Sequence, residues 1–240
     1  MVATSAPVSG VFAWWQRRKA ASGGSPLVVP ALFAHRSFSL GLAVSLLISA
    51  TIACFALTFS LLLQLGHGFS AIHAVWTALF ITAGMLPVAG ALSKKAIPAM
   101  GRWSLTIGAA VMALGIAAVA VIAGHAGPDL PTWQLAPALF VMGAGMGLVF
   151  VPLLPFILSN VHPDDAGSAS GVANAVQQVG VALGIAVVGE VFFSDLAGSA
   201  SYGHAFAATV VLQVALLAAS ALVALFLPRR IAPGAYQQHR

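Results

Sequence analysis

Charge is what this sequence has least of. Asp, Glu, Lys and Arg make up 6% of its 240 residues, where a soluble domain carries about a quarter. So few charges cannot clothe a water-soluble surface of this size. Cys54 is the single cysteine, which excludes a disulfide framework and a cysteine-based metal site. A basic region followed by a short apolar stretch and a cleavage site is missing from the first residues, so no signal peptide is expected. The pI is near 10.2, but the cations form no long basic face interleaved with aromatics, which argues against a nucleic-acid partner. Nor do short alternating segments of about ten residues occur, and a transmembrane barrel needs those. There is no nucleophile–base–acid constellation, no phosphate loop and no HExxH zinc motif, so neither an enzyme nor a cofactor is expected.

What the chain has is apolar length. Sixty per cent of it is hydrophobic and its mean hydropathy is +1.00. Six continuous apolar runs cover about 38–65, 72–92, 103–123, 133–158, 168–193 and 205–227. At about 1.5 Å per residue each can cross a hydrocarbon core of about 30 Å. The first is long enough to tilt. The expectation is an all-α integral membrane protein, with a six-helix bundle over 37–228 and a cytoplasmic tail over 229–240. Residues 1–36 precede it as a cytoplasmic linker or interfacial segment. Trp14 and Trp15 beside Arg17, Arg18 and Lys19 suit a membrane–water interface, and a basic tail fits the same composition.

The loops give the orientation. All ten Lys and Arg residues fall in 1–37, 93–102, 160–167 and the segment after 228, and none in the three loops between. Cations stay on the cytoplasmic side. Six spans then put both termini in the cytoplasm of a multi-pass protein of the cell (inner) membrane.

The fifth run stands apart. Pro163-Asp164-Asp165 opens it, the two carboxylates being suited to cap a helix and complement its dipole. Gly180 and Gly184 then form a small-xxx-small pair, with Gly167, Gly171 and Gly189 as further close-approach points; Gly143 and Gly147 do the same in the fourth run. Asn174, Gln177 and Gln178 need polar partners in the membrane, as cavity lining or as glue between helices. Gln64, with Thr51, Thr58 and Ser60, is a further lining candidate, although hydroxyls also bond their own backbone. Glu190 is the only carboxylate inside an apolar run, a proton-site candidate that also lies near the helix end. His67, His73, His125 and His204 share the outer side, where scattered interfacial histidines are common. Pro152 and Pro155 are expected to loosen the fourth helix near its cytoplasmic end. The two halves of the bundle, three helices each, could be an inverted pair.

Three segments carry a family resemblance. One is Asp165-Ala166-Gly167-Ser168-Ala169-Ser170-Gly171, followed by Asn174, Gln178, Gly180, Gly184 and Gly189. Another is Gly90-Ala91-Leu92-Ser93-Lys94-Lys95 with Gly101-Arg102, and the third is Gly24-Ser25-Pro26-Leu27-Val28 with Leu32-Phe33 and Arg36-Ser37-Phe38. Together they resemble the C-terminal half of the fourteen-helix drug:proton antiporter branch of the major facilitator superfamily. The resemblance implies proton-coupled multidrug efflux of small amphipathic molecules by alternating access. It implies a cytoplasmic gating loop built from Gly90, Lys94, Lys95, Gly101 and Arg102, although Ser93 and Lys94 stand where the family carries an acidic partner; obedience to the positive-inside rule explains the same cations. The family's N-terminal half has no counterpart here. The expected partners are therefore the bilayer, a small-molecule substrate, and a separate N-terminal half or a second copy. The alternative expectation is a transport-inactive remnant or a membrane partner protein.

Overall fold

The computed structural model describes residues 33, 35–92, 96–125, 130–159, 161–199 and 201–227. Six long helices carry it: α1 (Arg36–Leu61), α2 (Ala71–Pro87), α3 (Arg102–His125), α4 (Thr132–Leu158), α5 (Ala166–Ser199) and α6 (Tyr202–Leu225). Each lies in a stretch long and apolar enough to span a membrane, and no strand occurs among the described residues. The linker over 1–36, but for Phe33, His35 and Arg36, lies outside the described residues, as do Lys94, Lys95 and the tail from 228.

Local chemistry sets the ends. Ser70 caps α2 by accepting from the His73 N–H at 3.2 Å, and Ser201 caps α6 by accepting from the His204 N–H at 3.4 Å. Pro87 closes α2, and a π turn, Val88–Leu92, follows it. A matching π turn, Leu62–Gly66, ends α1. Before α3 a short helix, Ala96–Met100, turns at Gly101, whose φ of 56° is left-handed.

Two expectations change. The fifth span runs on to Ser199, shrinking the predicted loop over 194–204 to two residues, because Ser194-Asp195-Leu196 holds no helix breaker. Ser194 Oγ donates back to the Val191 carbonyl, and Asp195 meets His204 across the turn at 2.8 Å. The fourth helix stays regular through Pro137, Pro152 and Pro155. Asp164 and Asp165 stand in a 3-10 turn, Pro163–Asp165, that leads into α5. There the His162 ring nitrogen accepts from the Asp164 N–H at 3.4 Å.

α1, α3, α4 and α6 form the centre, with α2 laid on α4 and α5 laid on α1. Burial follows: 61% of the α1 span is covered, against 17% for that of α2 and 22% for that of α5. Exchanging α1 with α4, α2 with α5 and α3 with α6 reproduces most of the packing, except that α5 also packs on α6 whereas its counterpart α2 scarcely touches α3. The α1–α5 pair becomes α4–α2, the α1–α6 pair becomes α4–α3, and the α3–α6 and α1–α4 pairs map onto themselves. Three spans per repeat is an odd number, so the second repeat is inverted relative to the first.

The helix ends gather in two layers. Gly41 of α1 lies against Ile157 at the end of α4, and Arg102 of α3 reaches Leu225 at the end of α6. At the other side Gly66 lies against Tyr202, and His73 meets Thr132 at 2.7 Å. Between the layers, apolar side chains such as Ile107, Leu114 and Val121 of α3 are exposed at seven-residue spacing. Such a stripe is solvated by lipid tails rather than water.

With lipid outside, helix association rests on close packing. A Cβ at Gly143 would run into the Ile81 carbonyl oxygen, and one at Gly84 into that of Phe140, so α2 and α4 touch backbone to backbone. α5 meets α1 in the same way. A Cβ at Gly180 would sit 2.5 Å from the Leu46 carbonyl oxygen, and one at Gly184 would strike that of Ala50. The Cys54 thiol donates across this second seam to the Gly184 carbonyl at 3.3 Å.

Candidate functional site

Because glycines draw α2 tightly onto α4, a gap opens between α2 and α1, which barely touch although only four residues join their ends. The gap is a cavity of about 300 Å³ toward the ends of α1 and α2 that the 67–70 connection joins. α1 supplies one wall through Phe55, Phe59, Ser60 and Gln64, α2 supplies the opposite wall, and Met142 and Met146 of α4 form the floor. Phe55 and Phe59, one turn apart, stack with ring centroids 5.0 Å apart. None of the lining residues is ionisable.

Polarity enters at two side chains. Gln64 lies within the π turn of α1, and its Nε2 donates to Ser60 Oγ at 2.6 Å. No described residue donates to its Oε1, so an acceptor is left at the cavity wall. π turns break the i to i−4 pattern and recur at functional positions. Thr51 and Thr58 do not share this wall. Both are fully buried, and each hydroxyl donates to the carbonyl four residues back, Leu47 and Cys54, at 2.9 Å.

The structure separates the amides. Asn174 and Gln178 are exposed on α5 and Gln177 is half-buried, and none of them lines the cavity that holds Gln64. Gly167, Gly171 and Gly189, which meet no atom where a Cβ would stand, lie on the same side of α5 as Asn174 and Gln178, while Gly180 and Gly184 are spent on α1. Glu190 is also exposed, on a third face with Val179, Leu183, Ala186 and Phe193. Gly147 packs against Val88, 2.9 Å from where its Cβ would be.

Of the loop residues, Gly90 lies in the π turn after α2 and is exposed. Gly101 makes the left-handed turn, and Arg102 donates from Nη1 to the carbonyl oxygens of Leu225 at 2.7 Å and Leu227 at 3.4 Å. A cation at a helix C-terminus satisfies open carbonyls and complements the dipole. Sequence spacing gave no sign of this contact, which joins residues more than a hundred positions apart. Three of the histidines His67, His73, His125 and His204 engage separate partners. His73 meets Thr132 and stacks on Phe69 at 4.2 Å, His204 meets Asp195, and His125 Nδ1 meets the Val121 carbonyl oxygen at 2.8 Å. Among the described residues they form no convergent metal-binding group.

Residues 3–185 match the sequence profile of the Major Facilitator Superfamily. The chain is similar to a probable actinorhodin transporter of Streptomyces coelicolor, 34% identical over 205 residues that cover 84% of this chain and 35% of that protein. It is also similar to a puromycin resistance protein of Streptomyces alboniger, 32% identical over 123 residues covering 50% of this chain and 24% of that protein. A cephamycin export protein of Amycolatopsis lactamdurans matches with 40% identity over 87 residues, 34% of this chain and 18% of that protein. The matched region is about a third or less of the length of each of these relatives.

Proposed function

This chain belongs to the major facilitator superfamily, and we propose that it forms the C-terminal half of a proton-coupled exporter of small amphipathic molecules. The observation that carries the reading is the uncharged cavity between α1, α2 and α4, with Gln64 at its wall, inside a bundle of two inverted three-helix repeats. Such repeats let one bundle rock against another around a fixed site, exposing it first to one side and then to the other. The names of the relatives, which speak of export and of antibiotic resistance, support efflux as the direction.

The rest of the site is assigned from the same picture. Gln64 lines the cargo path within this half. Asn174, Gln177 and Gln178 line it where a second half, separately encoded or another copy, closes against α5. Exposed amides at membrane depth need such a polar or protein-covered surface. Glu190 is the proton-linked carboxylate and Gly90, Lys94, Lys95, Gly101 and Arg102 the cytoplasmic gate. Both termini lie in the cytoplasm, on the side that holds every Lys and Arg.

Accumulation of a fluorescent amphipathic dye tests the reading in cells stripped of their own exporters. The chain is expressed alone and together with the portion of the actinorhodin transporter that precedes the matched region. Lower dye content than in empty-vector cells, in either arrangement, supports export. Equal content in both arrangements counts against it.

A further inference from the structure

We propose that the cavity between α1, α2 and α4 accepts a neutral, flat aromatic ring system that donates one hydrogen bond to Gln64 Oε1, and that it rejects permanent cations. The inference rests on taking this cavity as the place where cargo sits, and it specifies the chemistry of that cargo.

Three observations carry it. The first is the lining: it is apolar and counts Phe55, Phe59, Met142 and Met146 among its residues, and aromatic rings and polarisable thioethers favour aromatic partners. The second is charge. No lining residue is ionisable, so a fixed positive charge would lose its hydration without gaining a counter-ion. The third is polarity. One of the two Nε2–H groups of Gln64 donates to Ser60 Oγ at 2.6 Å, and no described residue donates to its Oε1. A ligand that brings only acceptors leaves that oxygen unmatched once water is displaced, whereas a phenol or aryl N–H satisfies it.

Size narrows the class further. A volume of about 300 Å³ corresponds to roughly ten water molecules at about 30 Å³ each. It lies at the low end for ligand pockets. A fused ring system fits, while the remainder of a larger molecule would extend beyond the cavity.

Equilibrium dialysis of the whole chain in lipid nanodiscs, corrected with empty nanodiscs, tests this with three probes of one size. They are 1-naphthol, which donates; 1-methoxynaphthalene, which only accepts; and N-methylquinolinium, which is permanently charged. The expected order is saturable binding of 1-naphthol, about tenfold weaker binding of 1-methoxynaphthalene, and no saturable binding of the cation. Gln64→Leu should abolish the preference, so that 1-naphthol and its methyl ether bind alike. Ala78→Phe, which fills the cavity, should abolish both.

Equal binding of the first two probes by the unaltered chain would overturn the proposal, as would binding of the cation or no saturable binding at all. A preference that survives Gln64→Leu would overturn it too. The ranking on the unaltered chain decides the matter even if Gln64→Leu does not fold. A chain that ranks the probes as expected yet exports nothing would defeat the transport reading alone. Export without the ranking would defeat this inference alone.

Discussion

Arg102 stands at the first position of α3, and its guanidinium reaches the last turn of α6, where Nη1 donates to two carbonyl oxygens. Positive-inside counting explains why a cation lies on this side but not why it should be fixed there. A charge-assisted bond to a helix C-terminus contributes about 1–2 kcal/mol in partly buried surroundings. Arg102→Gln should therefore lower stability by about that much in detergent unfolding, with Arg102→Lys in between; unchanged unfolding of Arg102→Gln would remove the capping role. The histidine pair on the other side makes a useful contrast. His204 is 67% exposed beside Asp195, so His204→Ala should change unfolding by no more than about 1 kcal/mol. Gln64 shows the limit of reading residues one at a time. Its amide is visible in the sequence, but the pairing with Ser60 and the free Oε1 follow only from the turn that holds it.

Among the helices, glycine seams decide which pairs close and which stay apart. Gly84 and Gly143 bring α2 onto α4, Gly180 and Gly184 bring α5 onto α1, and the gap left between α1 and α2 is the cavity. At Gly143 an added methyl meets backbone, the Ile81 carbonyl, which no rotamer change can move aside. Gly143→Ala should thus cost about 1–3 kcal/mol in the same unfolding assay. Gly171→Ala, which meets open space, should be neutral or stabilise by up to about 1 kcal/mol through helix propensity. Equal losses at the two positions would contradict this assignment of the seams. The six spans were legible in the sequence because apolar length alone specifies a membrane helix. Which glycines are occupied was not. Gly167/Gly171 and Gly180/Gly184 have the same spacing on one helix, and only the position of α1 tells them apart. For the same reason the amides of α5 and α1, alike in chemistry, looked like one lining set, whereas the cavity holds Gln64 and not Asn174, Gln177 or Gln178.

For the molecule as a whole, two layers of helix ends, the inverted repeat and the one-sided cations describe a bundle that crosses the membrane six times. In a Cys54→Ala background, a membrane-impermeant maleimide should label Ser70→Cys on intact cells and Asp164→Cys only after lysis; the reverse pattern would invert the proposed orientation. The repeat itself was barely legible from sequence, since the packing of helices can be kept while the residues that make it differ. Export by this bundle is tested most directly in everted membrane vesicles carrying the chain with the preceding portion of the actinorhodin transporter. An imposed proton gradient should drive uptake of an amphipathic aromatic compound. That uptake should collapse with an uncoupler and fall to background with Gln64→Leu in this chain. Uptake no greater than in vesicles lacking the chain, or uptake indifferent to the gradient, would contradict the account.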